Sequence, residues 1–215
     1  MDCFFAAVEM RDHPEYRNIP LAVGGTSPRS VLSTCNYQAR KYGIKSAMPS
    51  MLAKKLCPNL KIVNGSYAKY KEASLHINEI FQDYTDLIQP LSLDEAFLDV
   101  SSSEKYFGSA TLLAKEIKQR IYQKTKLVAS AGVAPNKFLA KIASDWKKPD
   151  GLFTIPPKNI AEFVKQLPIR RLPGVGAVTA KKLYDLGIKN CLDIQNIENA
   201  ILEEKFGIFT RKLKA

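Results

Sequence analysis

The side chains best suited to chemistry are two adjacent carboxylates, Asp94 and Glu95, at the start of an apolar run that follows Pro90-Leu91. Carboxylates at the mouth of a strand bind hard cations, and Mg²⁺ usually takes only one or two of them together with phosphate oxygens. Neighbouring side chains on a regular strand point to opposite faces, so both can reach one ion only if the chain turns there. By itself the pair fits a solvated strand edge better than a metal site.

A second group of side chains could bind phosphate. Thr34, Tyr37 and Arg40 recur every three residues, which would place a hydroxyl, a phenol and a guanidinium on one face of a helical turn. Arginine offers forked donors to phosphate oxygens, so this face suits a triphosphate. Lys148 lies in a Lys-Lys-Pro turn that could complete such a site. Taken alone, the first three residues fit a solvated basic helix better.

The most specific pattern runs from Leu172 to Leu183 and has the spacing of a helix-hairpin-helix. The turn Gly174-Val175-Gly176 would let the backbone approach a nucleic-acid phosphate, with N–H groups at a helix N-terminus. Lys181 adds unspecific positive charge. Such contacts position a duplex without reading its sequence. The alternative is a purely structural αα-hairpin, which the basic composition disfavours.

The N-terminal segment, residues 1–9, has the pattern of a strand end that enters a helix, with acidic Asp2 at the junction. An acidic residue there is also an ordinary helix N-cap. Phe4 and Phe5, considered alone, would both be assigned to the hydrophobic core. We expect that assignment to hold for one of them.

The net charge restricts the partners. Lys and Arg total 32 against 21 for Asp and Glu, so the 215 residues carry +11, which indicates a polyanion and most commonly nucleic acid. Four scattered cysteines and only two histidines argue against a zinc site or a disulfide framework and favour a reducing compartment. No stretch approaches the ~18 apolar residues of a membrane span. The sequence therefore predicts a cytoplasmic protein with no membrane partner.

The pattern along the chain predicts an α+β fold with helices packed on one face of a small, mostly antiparallel sheet. Apolar residues recur at helical spacing from Tyr70 to Tyr84 and from Ala110 to Ile121. Strand candidates lie at 88–91, 96–100 and 128–133. A compact basic region, 11–65, precedes these elements, and short helices follow a Pro156-Pro157 linker.

Together the motifs resemble one family. The segments 1–9, 92–99, 130–145 and 172–176 occur in the order seen in Y-family translesion DNA polymerases, and their wording is similar to the DNA polymerase IV (DinB-type) branch. The resemblance covers essentially the whole chain. It implies a palm of antiparallel sheet with packed helices (1–10 and 66–156), a small fingers domain (11–65) and an all-α helix-hairpin-helix thumb (157–215).

The resemblance also implies a role for each site residue. Asp94 and Glu95 would be the catalytic and metal-binding carboxylates for two Mg²⁺ ions, with the backbone carbonyl of Met1 facing one ion. Phe5 would be the steric gate that crowds a sugar 2′-hydroxyl. Primer–template DNA and a deoxynucleoside triphosphate (dNTP) would be the partners. The nucleotide would be bound by Phe4, Phe5, Thr34, Tyr37, Arg40 and Lys148, and the DNA by Gly174, Val175, Gly176 and Lys181.

Two departures from the family pattern lead to a further expectation. Family members have an Asp, which is a metal ligand, and a full β-strand before the position of Met1, and Asp2 is not the equivalent of that Asp. They also continue into a little-finger domain and often a tail that binds a sliding clamp. We therefore expect this chain to lack both ends of the usual enzyme, to be weak or inactive alone, and to depend on its full-length form for the clamp.

Two other functions remain as alternatives. A non-enzymatic helix-hairpin-helix DNA-binding protein explains the charge and the thumb, but not Asp94-Glu95 together with Phe5 and the Tyr37/Arg40 pair. A palm-type nucleotide cyclase also carries metal-binding carboxylates but has no use for a DNA-binding hairpin. Specific binding of a deoxynucleotide by the chain would separate the polymerase from the DNA-binding protein.

Overall fold

The computed structural model describes residues 1–27 and 29–214. Ala215, the last residue of the predicted thumb, lies outside the described residues. The chain forms two compact units. The first combines Met1–Ala131 with Lys147–Leu152, and the second combines Gly132–Trp146 with the chain from Phe153 onward.

Helices and short strands alternate along the first unit. Its helices are α1 (Phe4–Asp12), α2 (Tyr37–Arg40), α3 (Ser50–Leu56), α4 (Tyr67–Gln82) and α5 (Ala110–Thr125). Its strands are β1 (Leu21–Gly24), β2 (Leu32–Cys35), β3 (Lys61–Val63), β4 (Ile88–Pro90) and β5 (Ala96–Leu98), and single 3-10 turns lie at Pro14–Tyr16 and Lys105–Gly108.

The strands are short and belong to separate small sheets. In the first sheet β1 is central: it pairs antiparallel with β2 (Ala22 opposite Cys35) and parallel with β3 (Ala22 opposite Ile62). β4 and β5 form an antiparallel hairpin with Gln89 opposite Phe97. Strands β6 (Ala131–Val133) and β7 (Leu152–Thr154) form a third, two-stranded sheet.

Helical periodicity explains how the main core of the first unit forms. On α4 the residues Tyr70, Ala73, Ile77 and Ile80 are buried, and their spacing of three or four places them on one helix face. The corresponding face of α5 buries Leu113, Ile117 and Ile121, and the Ser109 hydroxyl caps this helix by accepting from the Leu112 N–H. These faces share one hydrophobic cluster with α1 and β1. A second cluster lies around Leu32, Ile44 and Leu60.

The second unit is mostly helical. It contains α6 (Lys137–Trp146), α7 (Ile160–Gln166), α8 (Ala177–Asp185), α9 (Cys191–Asn196), α10 (Asn199–Phe206) and α11 (Phe209–Lys214), with 3-10 turns at Pro157–Asn159 and Ile169–Arg171. Its largest core joins Ile169, Val175, Leu183, Ile194 and Leu202. In the part of the chain that the structure describes, no helix is long and apolar enough to span a bilayer.

The α+β class predicted from the sequence is confirmed, but individual elements differ from the expectation. The strands predicted at 88–91 and 96–100 form over 88–90 and 96–98, and only the last three residues of 128–133 are in a strand. Thr34 lies in β2 and not on a helix with Tyr37 and Arg40, so the prediction of one shared helical face is wrong. The division into palm, fingers and thumb stays a prediction.

Candidate functional site

The adjacent carboxylates lie in the loop that joins β4 to β5. The N–H groups of Leu91 and Ser92 donate to the Glu95 carbonyl oxygen at 2.8 and 3.3 Å, which closes a tight turn. Within the turn the Ser92 hydroxyl donates to the Asp94 carboxylate at 2.9 Å. The strict alternation of a regular strand therefore does not apply to Asp94 and Glu95, and both are half-buried.

Met1 lies beside this loop. Its amino group donates to the Asp94 carbonyl oxygen at 2.8 Å and is 3.5 Å from the Asp94 carboxylate. The structure thus places Met1 against Asp94 through its amino group and not through the carbonyl predicted to face an ion, and Glu95 follows Asp94 directly in the chain.

The available donors decide which ion this place could take. Among residues 1–27 and 29–214, no three His, Cys, Asp or Glu side chains come together as metal ligands. The two loop carboxylates provide hard oxygen donors, which fit Mg²⁺ completed by phosphate oxygens and do not fit a tetrahedral zinc centre.

The two phenylalanines of the N-terminal segment occupy different environments. Phe4 is buried at 4% exposure and belongs to the main core. Phe5 is half-buried, and its ring stacks on Tyr70 with centroids 4.4 Å apart. The ring of Phe4 is therefore a core residue, and any nucleotide contact by Phe4 is limited to its backbone N–H at the start of α1.

Asn36 positions the phosphate-binding candidates. It is fully buried, and its side-chain oxygen accepts from the Leu21 N–H at 3.1 Å and the Ala39 N–H at 2.9 Å. These bonds cap α2 and fix it against β1. Asn36 was not among the predicted site residues, although an Asn immediately before a helix is a recognisable capping signal.

Tyr37 and Arg40 are neighbours on α2, with the guanidinium 4.9 Å from the ring centroid. The Tyr37 hydroxyl is buried and makes no hydrogen bond of acceptable geometry within the described residues. Burial, together with the nearby Asp2 charge, raises the pKa of Tyr37 to about 12. Tyr37 is therefore a protonated donor at neutral pH. Thr34 lies in β2 and is also buried, at 8% exposure.

Asp2 is not a helix cap. Cys3 is the N-cap residue of α1, in a left-handed conformation and without a side-chain capping bond. The Asp2 carboxylate, 3% exposed, accepts from the Ser130 hydroxyl at 2.8 Å and from the Asp150 N–H at 2.8 Å. Asp2 thereby reaches the turn that carries half-buried Lys148.

The hairpin of the second unit exposes backbone at two glycines. Gly174 has φ +90, in the region that favours glycine, whereas Gly176 has an ordinary φ of −79 and directly precedes α8. A Cβ at either position would meet nothing within 4 Å. Val175 is a core residue at 9% exposure, so it can offer only its backbone to DNA. Lys181 is exposed and lies 3.3 Å from Asp185.

Comparisons with known proteins agree with this geometry. The family described as impB/mucB/samB matches residues 1–145, and the IMS family HHH motif matches residues 157–188. The chain is 58% identical over 214 residues to DNA polymerase IV of Cronobacter sakazakii, covering 99% of this chain and 61% of the relative. It is 58% identical over 210 residues to DNA polymerase IV of Yersinia enterocolitica, covering 97% of this chain and 60% of the relative.

Solved structures give the same result. The crystal structure of DinB from Sulfolobus solfataricus superposes with a TM-score of 0.92 at 38% identity, over 99% of this chain and 64% of that one. An insertion ternary complex of Dbh DNA polymerase superposes with a TM-score of 0.87 at 37% identity, over 99% of this chain and 64% of that one.

The α+β first unit, with its loop carboxylates, and the helix-hairpin-helix of the second unit define the class of protein. The chain belongs to the impB/mucB/samB family, the Y-family polymerases of DinB type. It spans about three-fifths of the length of the curated relatives that it matches.

Proposed function

We propose that this chain forms the catalytic core of a template-directed DNA polymerase of the translesion, error-prone type, which transfers a nucleotide from a dNTP to a primer 3′-hydroxyl. One observation carries the proposal: the N-terminal segment contacts or lies close to residues of the carboxylate loop and of the predicted triphosphate site. Met1 contacts Asp94, and Asp2 holds the turn of Lys148 and lies close to Tyr37. Phe5, in the same segment, is half-buried.

Asp94 and Glu95 are proposed to hold two Mg²⁺ ions, which when bound would stabilise the charge of the attacking and leaving oxygens. The protein's own contribution is to position the nucleotide. Arg40 and Lys148 would neutralise the triphosphate, and the protonated Tyr37 hydroxyl would donate to one of its oxygens. The N–H groups in the first turn of α1 would add donors at the positive end of the helix dipole.

Phe5 is proposed to select the sugar. Its stacking on Tyr70 fixes the ring, so a 2′-hydroxyl would meet a rigid aromatic edge and not a movable side chain. The selection therefore works by exclusion and requires no hydrogen bond to the deoxyribose.

The second unit is proposed to bind the primer–template backbone through Gly174, Gly176 and the N–H groups at the start of α8, with Lys181 adding charge. Such contacts carry no sequence information. A sliding clamp is proposed as a partner of the whole protein. Because the curated relatives are bacterial DNA polymerases, the proposed compartment is the cytoplasm, where bacterial DNA lies.

Magnesium-dependent binding of a dNTP by this chain tests the proposal against the DNA-binding alternative. We expect Arg40→Met to weaken binding by on the order of tenfold, because a charge-assisted contact to phosphate is lost. Lys41→Met removes the same charge from the next residue and should have little effect. No dNTP binding by the parent chain, together with intact DNA binding, would support the non-enzymatic DNA-binding protein instead.

A further inference from the structure

The turn at residues 147–151 is held from two opposite sides. On one side its N–H groups are bound: Asp150 donates to the Asp2 carboxylate at 2.8 Å, and Gly151 donates to the Ser130 hydroxyl oxygen at 3.0 Å. Ser130 in turn donates to Asp2 at 2.8 Å. On the other side the Lys118 ammonium donates to the carbonyl oxygens of Asp150 and Gly151 at 2.7 and 3.0 Å.

Lys118 also pairs with the Asp150 carboxylate at 3.0 Å. The two charged groups that hold the turn are shielded from solvent, since Asp2 is 3% exposed and the Lys118 side chain 14%. Buried charges are stable only when their hydrogen-bonding capacity is met, so the loss of either group would leave backbone partners unsatisfied. Asp150 also has a left-handed backbone, φ +54, a conformation that Asp adopts more readily than most residues other than glycine.

Asp2 also lies close to the Tyr37 hydroxyl and affects its hydrogen bonding. A carboxylate has about four acceptor positions. Two donor protons already reach Asp2: the Ser130 hydroxyl proton, shared between the two carboxylate oxygens, and the Asp150 N–H. Tyr37 lies close to this carboxylate, and its buried hydroxyl has no hydrogen bond of acceptable geometry within the described residues. The position of Asp2 therefore affects the direction in which that hydroxyl donates.

We propose that Asp2 and Lys118 are positioning residues that form a clamp for the triphosphate site, with Asp2 acting on both the Lys148 turn and the Tyr37 hydroxyl. Neither residue touches the nucleotide in this proposal, which rests on the proposed function. The clamp fixes the backbone two residues after Lys148, so the lysine enters the site from an immobile turn. Its contribution is to the phosphates and not to the base or sugar.

The test compares affinities of the whole chain for dTTP and dTMP in the presence of Mg²⁺. Lys118→Met keeps the aliphatic stem and removes the ammonium, and Asp2→Asn keeps the shape and removes the charge. Both are expected to weaken dTTP binding on the order of tenfold, the scale at which misplaced positioning groups act. Binding of dTMP should be nearly unchanged, because it keeps only the α-phosphate and lacks the β- and γ-phosphates that the clamp serves.

The controls separate positioning from general destabilisation. Lys124→Met removes an exposed lysine from the same helix, one that pairs with Glu79, and should alter neither affinity. Lys118→Arg keeps a cation that can donate to two carbonyl oxygens and should restore much of the dTTP affinity. In a double-mutant cycle, Asp2→Asn and Tyr37→Phe should weaken dTTP binding less than additively, because both act through the same hydroxyl.

The outcomes distinguish the clamp from the function on which it rests. A parent chain that does not prefer dTTP to dTMP would overturn both. If the parent chain does prefer dTTP to dTMP but Lys118→Met leaves the dTTP affinity unchanged, the clamp alone is overturned. Equal losses of affinity for dTTP and dTMP in Lys118→Met would also overturn the clamp, because they would show that Lys118 has a purely structural role. If Asp2→Asn fails to fold, Lys118→Met and its arginine rescue still decide the question.

Discussion

Phe4 and Phe5 are neighbours in the chain, yet Phe4 is buried and Phe5 is only half-buried. Replacing Phe5 with Val should increase acceptance of ribonucleotides relative to deoxynucleotides by roughly tenfold or more, because a steric exclusion is removed. The measurement is the ratio of dCTP to CTP affinity, with the same ratio for incorporation where extension is assayed. The Phe5→Val substitution should lower the free energy of unfolding only modestly, because the Phe5 ring is only half-buried.

Phe4→Ala serves as the matched comparison. Truncating this buried ring should destabilise the fold by roughly 3–5 kcal/mol without changing sugar preference. If Phe5→Val instead unfolds the chain and the sugar preference follows Phe4, the assignment of the gate to Phe5 is wrong.

Single-residue roles were partly predictable from the sequence. The spacing identified Tyr37 and Arg40 as candidates and the family resemblance identified Phe5, but the sequence could not tell which phenylalanine is buried, because the two are adjacent and equally apolar. It also missed Asp2 and Lys118 as partners of the Lys148 turn. The contact of Asp2 with Asp150 spans 148 residues of sequence, and that of Lys118 with Asp150 spans 32. A local periodicity cannot predict contacts over such separations.

At the scale of elements, short segments departed most from expectation. Thr34, Tyr37 and Arg40 share a spacing of three, but the cap at Asn36 starts a new helix between the first and second of them. Spacing arguments hold only within one continuous element. The Asp94-Glu95 pair shows the opposite case: strand geometry requires the chain to turn there if both side chains are to reach one ion, and the loop between β4 and β5 provides that turn. The long helices α4 and α5 were predicted well because their apolar faces extend over several turns.

The hairpin gives a prediction at the same scale. Gly176→Val should weaken duplex DNA binding equally for unrelated sequences, because its side chain would stand between the hairpin backbone and a phosphate. The variant should fold normally, since φ is ordinary and a Cβ meets nothing within 4 Å. Electrophoretic or fluorescence titrations with two unrelated duplexes would measure the effect.

Gly174→Val is the informative comparison because it adds the same bulk at φ +90 and should also cost stability. Unchanged DNA affinity in the stable Gly176→Val variant would indicate that the hairpin is only a structural element of the second unit.

At the scale of the whole molecule, the net charge of +11 predicts how DNA binding responds to salt. Each neutralised phosphate releases counterions, so the logarithm of affinity should fall linearly with the logarithm of salt, with a slope near −0.9 per contact. Titrations at several salt concentrations would give the slope, and Lys181→Met should reduce it by about one contact. A flat salt response would contradict backbone recognition.

The central claim is that Asp94 and Glu95 support nucleotidyl transfer, and primer extension tests it most directly. Because the chain spans about three-fifths of its curated relatives, the assay uses it joined to the flanking segments of the Cronobacter sakazakii relative. Glu95→Gln should slow single-nucleotide extension by at least roughly a hundredfold, equivalent to about 2.7 kcal/mol of barrier, with an unchanged melting temperature. Extension by Glu95→Gln and Asp94→Asn at the parent's rate would contradict the account.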